Sequence, residues 1–346
     1  MVLLIVPLYG QKVTGVISGS VTDQSGAVVA NASITATDTA TGTTRNATSS
    51  ASGEFTIADV VPGTYKVSIK APNFKEAVYN DVIVHTSSTA LVNAKLEVGG
   101  ATEVMEVSAN ALQVQTDSAA LGEVIEAQQV KELPLNGRSF VQLTQLAPGV
   151  SAANNYDAKD KGLQGGVDFS VNGNPNTNNL FLIDGANNND TGSNRTILLY
   201  PSIEAISEFK MLRNSYSAEY GQASGAVISV VTKGGTNDWH GSFLYSGRNS
   251  ALNATDYFAK QIGQKNMLQR NDVAGSIGGP IKKDKLFVFY SEEYNHEKRG
   301  IPRTTCVPTA AEQAGDFSQD FTLQSDGSYK DLCGANRPNI PVAYQA

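Results

Sequence analysis

The chain has 346 residues, long enough for two or more domains, and only 17 % of them are charged. The net charge of −7 gives no reason to expect nucleic acid as a partner, and no lysine or arginine run exists to bind anionic lipid. Small and polar residues are abundant and turn pairs recur about every ten residues, which favours all-β architecture.

The first twelve residues, MVLLIVPLYGQK, form a short apolar run. A membrane-spanning helix needs about 20 such residues, so this run is too short to be one. It is typical of the tail of a signal peptide whose basic start is absent, and we predict a signal-peptide remnant over 1–12. No later stretch of the sequence is apolar enough for a membrane helix.

Residues 13–98 predict a small β-sandwich. Tyr65, Val67 and Ile69 alternate with polar residues, which is the period of strands with one buried face. Turns are expected at Asp23–Gly26 and at Pro62–Gly63. A domain of about 85 residues can bury a modest core and fold alone.

Three short motifs of this segment resemble the carboxypeptidase regulatory-like domain, a seven-stranded transthyretin-like sandwich. They are G-x-V-x-D-x-x-G at Gly19–Gly26, G-x-F at Gly53–Phe55 and P-G-x-Y at Pro62–Tyr65. The resemblance allows a packing or spacer role and also carbohydrate binding. No aromatic cluster suited to stacking on a sugar stands out, so the packing role is favoured.

Residues 99–125 open on Gly-Gly and hold few large apolar residues, so they predict a linker. One part of this linker alternates charged and β-branched residues, as an exposed extended segment does. Such a segment can add itself as a strand to the edge of a partner's sheet. The segment comprises Glu103, Val104, Met105, Glu106, Val107, Ser108 and Ala109.

Residues 126–235 predict an α+β domain. Helical spacing is broken at Pro134, and Pro201 suits a first helical position. A strand ends at Asp184–Gly185, where the aspartate is expected to cap the turn and the glycine to supply a positive φ. The run AVISVV predicts a strand that is buried on both faces.

After Thr236 the pattern changes to rings on alternate positions. Trp239, Phe243 and Tyr245 fall on one side of a strand, with small polar residues on the other, and Leu244 is an exception. This alternation is typical of an outer-membrane barrel, with the lipid face outside and the lumen face inside. An ordinary antiparallel sheet explains the alternation equally well, and the facing of Leu286–Tyr290 stays open.

Four longer motifs resemble those of a TonB-dependent outer-membrane receptor of the Oar-like type, which has a regulatory-like N-terminal domain. They are LPLNGRSF (133–140), VNGNPNTNNLFLIDG (171–185), YSAEYGQASGAVISVVTKGGTNDWHGSF (216–243) and AGSIGGPIKKDKLFVF (274–289). The resemblance implies a plug domain at 126–235 and the start of a β-barrel at 236–346. The implied plug-motif residues are Asp184, Gly185, Tyr220, Gly221, Gly225, Lys233 and Gly234.

The same resemblance implies a mechanism and partners. The plug closes the pore, a ligand binds outside, and a TonB-type inner-membrane energy-coupling protein pulls on the TonB box. By position the box is Glu103–Ala109, although Met105 and Glu106 depart from its common form. The expected location is the bacterial outer membrane, with lipid around the aromatic strands and the N-terminal domain in the periplasm. The alternative is a cell-surface protein that binds carbohydrate or protein without transport.

No pattern in the sequence indicates catalysis or a resident cofactor. His85, His240 and His296 are the only histidines, and no zinc, serine-hydrolase or phosphate-loop motif includes them. The carboxylates near Asp157 and Asp160 lack the spacing of a calcium loop, so no metal site is expected. Cys306 and Cys333 could pair in an exported chain or stay as thiols.

A barrel of this family has about 22 strands. Residues 236–346 leave room for only a handful, and an unclosed sheet in lipid leaves unpaired backbone groups at both edges. We therefore expect the sequence to be a fragment of a longer receptor.

Overall fold

The computed structural model describes most of the chain up to residue 300 and short stretches beyond it. The described residues are 14–100, 104–108, 121–152, 167–192, 194–255, 257–261, 263, 265, 267–300, 310–316, 321–323, 329–331 and 336–337. Strands far outnumber helices among them, which confirms the mainly β class expected from the sequence. Two compact units divide the chain, 1–245 with 273–294, and 246–272 with 295–346.

Residues 14–100, which we call the sandwich, form two sheets. The strands are β1 (Gly15–Asp23), β2 (Ser33–Asp38), β3 (Thr44–Thr48), β4 (Glu54–Val60), β5 (Gly63–Lys70), β6 (Glu76–Val84), β7 (Thr89–Leu91) and β8 (Ala94–Leu96). In the first sheet β1 pairs with β4 on one edge and with β7 and β8 on the other. The second sheet has the order β3-β2-β5-β6-β9, where β9 (Val104–Ser108) runs parallel to β6.

The alternation in the sequence explains the core of the sandwich. Tyr65, Val67 and Ile69 of β5 are buried between the sheets, as the period of two predicts. The count is eight strands and not seven, because the Asn93 side chain interrupts the ladder along β1. Its Oδ1 accepts a hydrogen bond from the Ser20 backbone N–H at 3.1 Å, and this separates β7 from β8.

Residues 121–232 form the central domain, which lies in the same unit as the sandwich. Its main elements are β10 (Leu121–Glu126), α1 (Ala127–Glu132), β11 (Val150–Ala152), β12 (Phe169–Val171), β13 (Leu180–Ile183), β14 (Ala186–Asn187), β15 (Ile206–Asn214) and β16 (Val227–Thr232). Short 3-10 helices span Asn136–Arg138, Phe140–Leu146, Asn176–Asn178 and Ile203–Ala205. The sheet order is β10-β15-β16-β13-β14, with a separate pair of β11 and β12.

Both faces of this central sheet are covered. One face packs on rings and aliphatic side chains that include Phe140, Phe181 and Phe209, and the other packs around Leu212 and Tyr220. The double covering accounts for the run of consecutive buried residues in β16 that the sequence predicts.

Two details of this domain differ from the expectation. All but the last residue of β10 lies in the segment predicted as a linker, and this segment forms a strand because it pairs along β15. Pro201 precedes the N-cap instead of occupying the first helical position. The Ser202 hydroxyl accepts from the Glu204 backbone N–H at 3.3 Å, and the helix is a single 3-10 turn.

Strands β17 (His240–Asn249), β18 (Leu268–Lys282) and β19 (Leu286–Arg299) form a three-stranded sheet in chain order, which we call the aromatic sheet. The turn between β18 and β19 holds Asp284 at a φ of 60°. The exposed positions of β19 include Leu286, Val288 and Tyr290. The sequence leaves open which face of β19 is exposed, and it is the face that carries these three residues.

The second unit contains several short elements. They are α2 (Tyr257–Gln261), α3 (Ala310–Gln313), β20 (Phe321–Leu323), β21 (Tyr329–Asp331) and β22 (Asn336–Arg337). Within this unit Arg270 is buried and binds Asp272 at 2.9 Å and Glu297 at 3.4 Å. None of the helices in the described part of the chain is both long and apolar enough to cross a bilayer.

Candidate functional site

The candidate box lies along the edge of the sandwich. Strand β9 covers Val104–Ser108, while Glu103 and Ala109 lie outside the described residues. Val104 and Glu106 are exposed, whereas Met105 is half-buried and packs on the sandwich core. Only the backbone of Val107 and Ser108 is described. The segment is extended, as expected, and its backbone pairs with β6.

Asp184 and Gly185 form the two-residue turn between β13 and β14, and both have a positive φ, 48° and 80°. The aspartate does not cap its own turn. Its carboxylate instead accepts hydrogen bonds from the backbone N–H and the hydroxyl of Thr232, at 2.8 and 2.7 Å. The turn is thereby joined to the end of β16, the strand that leads toward the aromatic sheet.

The glycines of the candidate plug motif differ in how much space surrounds them. A Cβ at Gly225 would lie 2.4 Å from Asn179 Oδ1, so only glycine fits there without displacement. A Cβ at Gly221 would lie 3.8 Å from its nearest neighbour, and one at Gly234 would meet nothing within 4 Å. Among these three, Gly225 is the position where the backbone path requires glycine.

Glu204 is the centre of a charge cluster. It is only 6 % exposed, and its carboxylate contacts Lys131 Nζ at 3.2 Å and Arg138 Nη2 at 3.3 Å. Ser242 of β17 donates its hydroxyl to the same carboxylate at 2.8 Å. Lys233 Nζ donates to the Glu204 carbonyl oxygen at 2.8 Å. Through Glu204 the cluster connects the segments that carry Lys131, Arg138 and Lys233. It also connects them to β17, the strand that follows the central domain.

The ionisation of this cluster follows from its contacts. Burial raises the pKa of Glu204, but hydrogen bonds from Ser242 and Lys131 and the charges of Lys131 and Lys233 outweigh it and hold the pKa below the usual value. Burial, together with the charge of Lys131, lowers the pKa of Lys233 to about 8. Glu204 is therefore an anion at neutral pH.

A second polar cluster joins the sandwich to the central domain. The Glu208 carboxylate accepts from the Thr86 backbone N–H at 3.0 Å and lies 3.0 Å from His85 Nδ1. Lys210 is 3 % exposed and donates to the carbonyl oxygens of Thr86 and Ser87. Burial lowers the pKa of Lys210 to about 8, although the Glu208 charge opposes that shift.

Tyr220, a candidate plug-motif residue, belongs to the same interface. Its hydroxyl lies 2.7 Å from the Ser87 hydroxyl, and its ring packs edge-on against Tyr216 at 6.3 Å. The tyrosine is buried, so it connects the second core of the central domain to the sandwich loop.

Glu204, Glu208 and Lys210 are functional-site residues that the sequence pattern did not predict. A signal was available, since Glu204 stands between Ile203 and Ala205 in an otherwise apolar run. When an apolar run packs in a core, a charged residue within it is buried as well. A buried charge needs a partner of opposite charge or hydrogen bonds. The sequence does not show which partner, because those residues come from distant segments.

The aromatic sheet has two chemically different faces. Trp239, Phe243 and Tyr245 are 63 %, 79 % and 61 % exposed, and His240 and Ser242 on the opposite face are half-buried. A soluble protein rarely exposes contiguous apolar patches of this kind. The hydrogen bond from Ser242 shows that the polar face of β17 lies toward the central domain.

Among the described residues, no group of three or more histidine, cysteine, aspartate or glutamate side chains could hold a metal ion. Cys306, Cys333, Asp157 and Asp160 lie outside the described part of the chain.

Three family models match the chain in succession. They are the carboxypeptidase regulatory-like domain over residues 16–97, the TonB-dependent receptor plug domain over 114–227 and an outer membrane beta barrel domain over 231–343. The second match begins before β10, in agreement with the place of β10 in the central sheet.

Two curated relatives support the same family. The TonB-dependent transporter Oar of Myxococcus xanthus is 29 % identical over 304 residues, which cover 82 % of this chain and 27 % of Oar. The ferrienterobactin receptor of Escherichia coli is 30 % identical over 132 residues, 34 % of this chain and 17 % of the receptor. The matched region thus spans about a quarter or less of the length of these relatives.

Among solved structures, the siderophore receptor PirA from Acinetobacter baumannii is similar at a TM-score of 0.38 and 24 % identity, over 50 % of this chain and 24 % of that one. This chain combines a carboxypeptidase regulatory-like domain, a TonB-dependent receptor plug domain and an outer membrane β-barrel domain, and over most of its length it is similar to the TonB-dependent transporter Oar.

Proposed function

We propose that this chain is part of a TonB-dependent outer-membrane receptor that transports an unidentified ligand and is energised through the periplasm. One observation carries the proposal. Strand β17 exposes Phe243 and Tyr245 on one face, while Ser242 on the other face binds Glu204 of the central domain. A barrel strand that encloses a plug has this arrangement, with apolar groups toward lipid and polar groups toward the plug.

The contacts of Glu204 suit a plug that moves without unfolding. Within the central domain its side chain contacts two cationic groups, from Lys131 and Arg138, whereas its contact with β17 is one hydroxyl hydrogen bond. Two contacts with full positive charges hold a buried carboxylate more strongly than one hydrogen bond from an uncharged hydroxyl. A pulling force therefore breaks the Ser242 contact first and leaves the internal cluster intact.

The candidate box supplies the attachment for that force. In this proposal the sandwich lies in the periplasm, and Val104–Ser108 pairs with a strand of the TonB-type energy-coupling protein. Strand addition requires free backbone N–H donors along the segment. A proline at Val104 or Val107 removes one such donor.

The test is capture of the purified periplasmic domain of a TonB-type protein by the full chain. We expect Val104→Pro and Val107→Pro to abolish capture. Val104→Ala is the matched control, because alanine shortens the side chain but keeps the N–H, and it should still bind. Equal capture by the proline and alanine variants would reject the box assignment.

Carbohydrate binding by the sandwich is less well supported. Residues 14–100 are all described, and none of their aromatic side chains is exposed, since Phe55 and Tyr65 are buried and Phe74 and Tyr79 are half-buried. Proteins that bind sugars commonly present an exposed ring for stacking. A glycan-array signal from the full chain that persists without membrane lipid would favour this alternative.

A further inference from the structure

The chain leaves the sandwich at Val98–Gly99, close to the start of β6. Strand β9 then pairs along β6. Phe74 and Val98 form an isolated antiparallel bridge, and the Gly99 N–H donates to the Asn73 carbonyl oxygen at 3.2 Å. Strand β9 begins opposite Glu76, only two positions beyond Phe74. Five positions along the chain therefore separate Gly99, a fixed point on the sandwich, from Val104, the first residue of β9.

The candidate box is held on β6 in a defined register. Five successive pairs run from Glu76 opposite Val104 to Asn80 opposite Ser108. Met105 packs on the sandwich core, and Val104 and Glu106 face away from it. A register in a parallel pair is well specified where one face is buried, and Met105 supplies that burial.

We propose that the outer edge of β6 is a strand-accepting site whose ligand is Val104–Ser108, so that the sandwich holds the candidate box until a strand-pairing partner takes it. The identity of that partner, a TonB-type protein, rests on the function proposed above. The docking of the segment on β6 does not.

The short connection gives the docking its strength. A segment tethered a few residues from its site has an effective concentration on the order of millimolar. If a partner binds only the released segment, its apparent affinity is its intrinsic affinity multiplied by the fraction of chains in which the segment is released. Release also requires Met105 to leave the sandwich core. The site thus limits strand pairing with partners until force or a competing strand removes the segment.

A disulfide across the paired strands tests the docking. Paired strands lie about 4.8 Å apart, within the Cα separation that a disulfide accepts. Glu76→Cys with Val104→Cys joins register partners, neither of which is buried. Cys306→Ser and Cys333→Ser remove the two native cysteines from the chain.

Two controls accompany that variant. Glu76→Cys with Glu106→Cys is shifted by two positions, which places the Cα atoms about 8 Å apart, beyond disulfide reach. Thr35→Cys with Ser68→Cys joins register partners of β2 and β5, so it introduces a disulfide elsewhere in the sandwich without fixing the box.

We expect the in-register pair to oxidise readily and the shifted pair to stay reduced. Capture of the periplasmic TonB-type domain should then fall by about tenfold or more on oxidation, and reductant should restore it. The β2–β5 disulfide should leave capture unchanged.

Several results would overturn the inference. Equal oxidation of the in-register and shifted pairs would show that β9 is not docked as described. Undiminished capture by the oxidised in-register variant would show that docking does not limit access. If the wild-type chain captures no TonB-type domain while the register-specific disulfide still forms, the proposed function fails and the strand-accepting site stands.

Discussion

Strands β16 and β17 follow one another in the chain, yet they meet opposite surroundings. Val227–Val231 of β16 are buried without interruption, because the central sheet is covered on both faces. In β17 the large ring of Phe243 is exposed and the small Ser242 is directed toward the central domain. The same preference for bulky strand residues thus fills a protein core in one strand and forms an exposed apolar face in the next.

The central domain and the aromatic sheet also differ in which groups they bury. The central domain buries a charged group, whereas the aromatic sheet exposes an apolar one. Glu204 is buried in the central domain because Lys131 and Arg138 compensate its charge. The aromatic sheet leaves most of the surface of Phe243 exposed. The central domain contains the partners of its buried charge, whereas the proposed function assigns lipid to the exposed rings of the aromatic sheet.

Neutralising Glu204 should have the largest effect. Glu204→Gln keeps the shape but leaves Lys131 and Arg138 without their anion, and breaking a buried pair costs about 3–5 kcal/mol. The free energy of unfolding, measured by urea titration in detergent, should fall by this order. Ser242→Ala, which removes only the neutral donor, is the control and should cost clearly less. Equal losses for the two variants would mean that the cations do not depend on Glu204.

A charge on the aromatic face should act only in lipid. Phe243→Arg is expected to weaken association with phosphatidylcholine vesicles by up to about 2–4 kcal/mol, while Phe243→Leu retains it. In water the exposed position should change the free energy of unfolding by less than about 0.5 kcal/mol. Vesicle flotation and thermal unfolding separate the two effects. A large loss of stability in water would place Phe243 inside a protein core.

The sequence was a good guide where a local period or a turn determined the structure. The alternation of Tyr65, Val67 and Ile69, the buried run of β16 and the positive φ at Asp184–Gly185 are present as expected. The expected capping of that turn by Asp184 is not, because its carboxylate binds Thr232. These features depend on residues that are neighbours in the chain. The outward facing of Trp239, Phe243 and Tyr245 follows from the same local alternation.

Contacts between distant segments could not be predicted in this way. Glu204 meets partners from four places, Lys131, Arg138, Lys233 and Ser242, and no local pattern links them. The parallel pairing of β9 with β6 has the same cause, since its register depends on the path after Gly99. The alternation alone predicted an extended segment and gave no information about its neighbour.

Gly225 offers a smaller test on the buried side of the comparison. A Cβ there would lie 2.4 Å from Asn179 Oδ1, which already accepts a hydrogen bond from the Ala226 N–H at 3.1 Å. Gly225→Ala should therefore cost about 1–3 kcal/mol of unfolding free energy by overpacking. Gly221→Ala is the matched control, because the nearest atom is 3.8 Å away. Similar urea midpoints for the two variants would contradict the packing described here.

The smallest effect concerns the buried cation at the interface of the sandwich and the central domain. Lys210 has a folded pKa of about 8, below its ordinary value of 10.5, because burial disfavours its charge. Between these two values the unfolded chain binds more protons than the folded one, so stability rises with pH. One such group contributes at most about 1.4 kcal/mol per pH unit.

The measurement is the free energy of unfolding between pH 8 and 10. Above this range Tyr65 and Tyr200, whose pKa values are raised to about 12 by burial, release fewer protons in the folded chain than in the unfolded chain. Lys210→Met should flatten the rise, and Lys233→Met should flatten it separately, since its pKa is also lowered to about 8. Lys66→Met, at an exposed position of β5, is the control and should leave the slope unchanged. An unaltered slope in Lys210→Met would mean that Lys210 stays protonated over this range, with Glu208 and the carbonyl oxygens of Thr86 and Ser87 compensating its charge fully.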